Sequence, residues 1–99
     1  MNTHLHVSYL GLVRNVIGLS EEDLEVLAGA TVGQLLAQLT ARHGLPFKET
    51  VFKQSGELRS MTQVCVEDRD IDELDGLQTK IDNSENISIV VGVYPPEGG

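Results

Sequence analysis

The amino-acid sequence predicts an α+β fold: a mixed sheet in ββαββ order with one main helix packed on one face. Three features carry that prediction. The first residues alternate apolar and polar with the period of a strand. The middle of the chain holds one helix with a signal at each end, and residues 87–93 form a nearly unbroken β-branched run. No internal repeat, low-complexity tract or linker interrupts the pattern.

In "LHVSYLGLV", alternation puts Leu5, Val7 and Tyr9 on one face of a first strand. In "GLSEEDLEV", Gly18, Ser20 and two glutamates mark a turn before a short strand around Leu24–Leu27, so the first two strands form an antiparallel hairpin. The clearest helix is "GATVGQLLAQLTARHG". Thr31 is its N-cap, Gln34 completes a capping box, and Val32, Leu35, Leu36 and Leu39 make its apolar stripe. Arg42 and His43 lie in the last turn, Gly44 ends the helix and Pro46 blocks its continuation. "LPFKETVFKQSGELRS" reads as a short helical turn around Glu49–Phe52 followed by a turn at Ser55-Gly56. "QVCVED" is a third strand with Val64 and Val66 facing one way. "IDELDGLQTKIDNSEN" is a polar connection anchored at Ile71, Leu74, Leu77 and Ile81. The run "ISIVVGV" implies a strand buried on both faces, hence one in the middle of the sheet. A right-handed crossover then makes the first and last strands central neighbours. This is the β-grasp, or ubiquitin-like, architecture, with residues 1–94 as the domain and 95–99 as an extended tail.

The 99 residues suffice for one domain, and 40% apolar with 22% charged content is that of a globular chain. Seven basic against 15 acidic residues give a net charge of −8, the wrong sign for neutralising phosphates, so nucleic acid is not an expected partner. Cys65 is the only cysteine, which excludes an internal disulfide, a Cys₄ iron–sulfur cluster and a CxxC redox pair. "MNTHLHVSYL" lacks the features of a signal peptide, and no apolar run approaches the roughly 20 residues of a membrane helix. A soluble, cytoplasmic protein without a membrane partner is expected.

The chain closes on "GVYPPEGG". Pro95 and Pro96 favour a stiff polyproline II stalk without ladder hydrogen bonds. Gly98 and Gly99 have no side chains and thread a channel too narrow for other residues. Five extended residues reach roughly 16–18 Å, enough to enter a partner's active site. The last group is an unhindered glycine carboxylate, unreactive until ATP converts it to an acyl-adenylate. Sulfide or persulfide then yields a thiocarboxylate, and an amine yields an amide. A partner enzyme performs that catalysis; this chain supplies the handle and binds no cofactor of its own.

With these residues in view, the sequence resembles the ThiS/MoaD-type sulfur carriers over nearly its whole length, most of all the small subunit of molybdopterin synthase. "VSYLGLVRNVIG" is similar to that family's first strand and Arg-containing turn, "TVGQLLAQLTARHG" to its helix, and "VYPPEGG" to its end. The resemblance implies that Gly99 is adenylated by a ubiquitin-activating-like adenylyltransferase and thiocarboxylated by a sulfurtransferase or other sulfur donor. Gly98 threads the partner's channel, Tyr94 rests against partners, Pro95 and Pro96 are the stalk, and Arg14 makes a polar contact. A catalytic large subunit then delivers the sulfur to a pterin precursor. Two differences bear on the acceptor rather than on the carrier chemistry. Only Glu97 separates Pro-Pro from Gly-Gly where the family usually has one residue more, a retraction of roughly 3.5 Å. "NSEN" also stands where the family has Gly-Asp. Carriers for thiazole, cysteine or another sulfur-containing product remain open, as do a ubiquitin-like modifier attached to lysines and a pure interaction domain.

His4 and His6 share a strand face, but no companion at ligand spacing accompanies them, so no metal site is expected. Cys65, between two valines, reads as a packing residue rather than a sulfur relay. "EDRDIDELD" lacks the EF-hand's Gly and final Glu and reads as a solvated loop. No catalytic centre is visible within the chain.

Overall fold

A computed structural model describes residues 2–81 and 86–92. The strands are β1 (Asn2–Gly11), β2 (Glu21–Leu27), β3 (Thr62–Val66), β4 (Arg69–Asp70) and β5 (Asn86–Val91). The helices are α1 (Leu12–Ile17), α2 (Val32–His43) and α3 (Leu45–Val51). The sheet order is β2-β1-β5-β3-β4. β1 runs parallel to β5, and the other pairs are antiparallel. The first and last strands are therefore central neighbours, as the order of elements predicts. The fold is an α+β β-grasp.

One layer of the core comes from the inward face of the sheet: Leu5, Val7 and Tyr9 of β1, and Ile87, Ile89 and Val91 of β5, all at most 2% exposed. The other comes from the stripe Val32, Leu35, Leu36 and Leu39 of α2. The capping box of α2 is formed as expected, the Thr31 amide donating to Gln34 Oε1 at 2.9 Å and the Gln34 amide to Thr31 Oγ1 at 3.2 Å. Ile71 and Ile81 are buried, and Leu74 and Leu77 pack on the core, so the polar connection is pinned where its apolar anchors fall.

Five details differ from the sequence reading. The β1–β2 hairpin is antiparallel, but α1 occupies its connection. β2 begins at Glu21, so both glutamates belong to the strand rather than to the turn. Pro46 stands in the first turn of α3, where its missing N–H costs nothing, and starts a helix instead of merely ending one. β4 adds a two-residue edge strand to the four expected. β5 is central but fully buried on one face only: Ser88 and Val90 are half-buried on the opposite face of the sheet. Asp82–Glu85, most of the "NSEN" stretch, and the expected boundary between residues 94 and 95 lie outside the described residues.

Candidate functional site

Of the expected site residues, Tyr94, Pro95, Pro96, Glu97, Gly98 and Gly99 lie outside the described residues. The root from which they extend is described. β5 ends at Val91, and the Gly92 amide donates to the Met61 carbonyl at 2.9 Å. A Cβ on Gly92 would stand 3.0 Å from Met61 Cε, so the backbone here runs against the methionine side chain. Beside this root opens a groove of about 600 Å³ between α1 and α3, lined by Leu12, Val16, Pro46, Met61, Val91 and Gly92 among others.

Glycine at the end of β1 creates this end of the molecule. Gly11 has φ +75°, and a Cβ there would lie 2.2 Å from the Val91 carbonyl oxygen. The chain thus turns out of β1 into α1 directly against the last residue of β5. Within α1, Val13 is buried and Ile17 packs on the core, while Leu12 and Val16, one turn apart, face the groove. Arg14 and Asn15 occupy the remaining, solvent side. Arg14 is exposed, sits on a helix rather than in the strand-turn expected for it, and has no side-chain partner among the described residues. The structure therefore places Arg14 on the same short helix as the groove's apolar wall but not on the same face.

At the same end of the hairpin, where β1 ends and β2 begins, lies a polar cluster that the sequence reading missed. Glu22 Oε2 accepts the Tyr9 hydroxyl at 2.5 Å and lies 2.6 Å from His43 Nε2, and Glu22 Oε1 accepts Arg42 Nε at 2.8 Å. The Glu22 side chain is 9% exposed and that of His43 is 13% exposed. Burial would raise the Glu22 carboxyl, but the Tyr9 hydrogen bond, then His43 and Arg42, outweigh it and hold the group below the usual carboxylate range. Burial first, then the Glu22 carboxylate, push the Tyr9 phenol far above its ordinary value, so it stays a neutral donor. The cluster binds the C-terminal end of α2 to the hairpin. None of its four residues lines the groove beside Gly92, so we read it as an anchor.

His4 and His6 turn to carboxylates of β2. His6 Nδ1 lies 2.8 Å from Asp23 and Nε2 lies 2.7 Å from Glu21, with both ring nitrogens engaged, and Asp23 leads in raising its pKa. His4 is 3.9 Å from Glu25. Among the described residues, no group of three or more His, Cys, Asp or Glu is arranged to hold a metal ion. Cys65 is half-buried on the face opposite Val64 and Val66. Burial, then Asp70, Glu73 and Asp68, raise its pKa, so it remains a thiol, the poor state for relaying sulfur. No described helix is long and apolar enough to cross a membrane.

A mixed five-stranded sheet in the order β2-β1-β5-β3-β4 with helices packed on it is the ubiquitin-like β-grasp class. The family model of the ThiS family matches residues 7–95, and the chain belongs to that family. No curated protein matches the chain. Among solved structures, the Haloferax volcanii HVO 2177 protein is similar over 99% of this chain and 88% of its own, at 26% identity and a TM-score of 0.78. Small archaeal modifier protein 1 from Methanosarcina acetivorans is similar over 100% of this chain and 99% of its own, at 24% identity and a TM-score of 0.77. A putative molybdopterin converting factor subunit 1 from Pyrococcus furiosus is similar over 92% of this chain and 99% of its own, at 22% identity and a TM-score of 0.70. The last two likenesses are of fold.

Proposed function

We propose that the chain is a sulfur carrier, a co-substrate rather than an enzyme, whose reactive group is the carboxylate of Gly99. A carboxylate oxygen attacks the α-phosphorus of ATP on an activating adenylyltransferase, and pyrophosphate leaves. A hydrosulfide sulfur then attacks the acyl carbon and expels AMP, leaving the thiocarboxylate. Where the donor is a persulfide, a thiol must afterwards reduce the S–S bond of the acyl persulfide adduct. Gly98 passes through the partner's channel, Pro95 and Pro96 hold the end away from the sheet, and Glu97, Tyr94 and Arg14 meet partner surfaces. A catalytic large subunit transfers the sulfur, with a molybdopterin precursor as the acceptor. The observation that carries this reading is a sequence of the ThiS family that runs from the central strand β5 through Pro-Pro into Gly-Gly. Likeness in fold to a molybdopterin converting factor subunit supports the choice of acceptor.

Likeness to a small archaeal modifier protein favours one second reading, in which a lysine amine attacks the same adenylate and the chain becomes a protein modifier. The intact mass of untagged protein from its own host separates the two and checks that Gly99 is terminal. A fraction heavier by the difference between sulfur and oxygen, localised to Gly99 and captured by a thiocarboxylate-selective alkylating reagent, supports the carrier. An unmodified Gly99 carboxylate, even with activating enzyme, ATP and sulfur donor supplied, removes the carrier reading. Branched Gly99–lysine adducts in cell extracts favour the modifier.

A further inference from the structure

The groove beside Gly92 continues into a second depression whose chemistry is unlike the rest of the surface. The first is apolar: Leu12, Val16 and Met61 are large hydrophobic side chains left 38%, 40% and 36% exposed on its walls. The second, of about 410 Å³, shares Glu49 and Arg59 with the first and adds Lys48, Lys53 and Leu45, the last of these 64% exposed. Three of the chain's seven basic residues thus line this depression together with one carboxylate, Glu49, in a chain whose net charge is −8. Among the described residues, no side-chain carboxylate is paired with any of the three. Arg59 Nε donates to the Glu49 carbonyl at 2.7 Å, which fixes the guanidinium without neutralising it.

Exposed apolar walls beside unpaired cations suit a partner that brings both leucine-like side chains and carboxylates. A second copy is disfavoured because both molecules carry −8, although the exposed row Glu21, Asp23 and Glu25 on β2 makes self-association an outcome to test. We propose that the α1–α3 groove and its basic extension form a docking site for an acidic, apolar segment of a partner protein. The site stands whether or not Gly99 is activated, since none of its residues belongs to the tail.

The test titrates isotope-labelled full-length protein with a synthetic helical peptide of about 15 residues, leucines spaced three and four apart and glutamates elsewhere. A counterpart replaces every glutamate by lysine. The acidic peptide is expected to shift the amides of Leu12, Val16, Leu45, Lys48 and Met61 saturably and to weaken as salt is raised. The Lys48→Glu/Lys53→Glu double variant, which melts like the parent, should bind it about tenfold more weakly. Equal binding of the lysine counterpart, or shifts centred on Leu10 and Val90 of the open sheet face, would overturn the proposal. So would peptide-free shifts that grow with protein concentration, which mark a second copy. Binding that develops only after residues 93–99 are removed would assign the groove to the chain's own tail.

Discussion

The Tyr9 hydroxyl donates to Glu22 Oε2 at 2.5 Å across the β1–β2 hairpin, from a side chain that is 0% exposed. A phenol buried this way needs an acceptor, and the carboxylate that supplies it is itself met by Arg42 and His43 at the end of α2. Glu22→Ala strands the phenol and the imidazole together, whereas Tyr9→Phe removes one donor and leaves Glu22 with Arg42 and His43. The expected losses are roughly 2–3 kcal/mol for Glu22→Ala and about 1–2 kcal/mol for Tyr9→Phe, from a total of order 5–15. Urea unfolding measures both. A larger loss for Tyr9→Phe would show that the ring's packing, not the carboxylate, organises this end.

The same groups shape the pH dependence of stability. Glu22 is held below its ordinary 4.5, so its contribution is present above that value and is lost as pH falls through the folded pKa. His6 is raised above 6.5, chiefly by Asp23, so its contribution is present below 6.5 and is lost as pH rises through its folded value. Its pair is exposed and screened by salt, which makes that limb shallow. Tyr9 is raised above 10.0, so stability declines as pH rises beyond 10, where only the unfolded phenol ionises. Melting curves of the parent and Glu22→Gln across pH isolate the acid limb. An unchanged difference between the two from pH 6 down to pH 2 would refute the assignment to Glu22.

Two glycines share a positive φ but differ in ψ, −142° at Gly11 and 15° at Gly18, and differ also in what surrounds them. Gly11 and Gly18 have φ +75° and +77°, but only at Gly11 would a Cβ strike backbone, 2.2 Å from the Val91 carbonyl oxygen. Gly18→Ala meets nothing within 4 Å and costs about 1 kcal/mol for its left-handed conformation. Gly11→Ala adds displacement of the β1–β5 junction and costs roughly 3 kcal/mol or more. Equal losses in thermal unfolding would mean that β1 and β5 separate there at little cost.

The sheet and α2 were legible because their signals are local and redundant. Leu5, Val7 and Tyr9 alternate without exception, and Thr31 with Gln34 announces the start of α2. α1 was not, since its six residues follow Gly11, an N-cap with no side-chain hydrogen bond, and include two valines and an isoleucine that also suit a strand. The pairs Leu12/Val16 and Val13/Ile17, one turn apart and followed by Gly18, were the available sign. Pro46 reads as a stop because it follows Gly44, although proline in a first turn equally marks a start. On its polarity alone Glu22 reads as a turn residue, while its two-residue spacing from Leu24 and Val26 puts it on the inward face. The groove joins α1, α3 and Met61, segments distant in sequence, and no local pattern announces such a meeting.

The tail's role separates cleanly from the fold's stability. Among the described residues, the last member of the core is Val91. Deleting Gly98 and Gly99 is therefore expected to change unfolding free energy by no more than about 0.5 kcal/mol, while abolishing thiocarboxylate formation. Tyr94→Ala should weaken binding to the activating enzyme, again without unfolding the domain. Calorimetric melts alongside an adenylation assay distinguish the cases. A fall in melting temperature for Tyr94→Ala comparable to that of Glu22→Ala would make Tyr94 a core residue. Full thiocarboxylate yield from the shortened chain would mean that the reacting carboxylate is not that of Gly99.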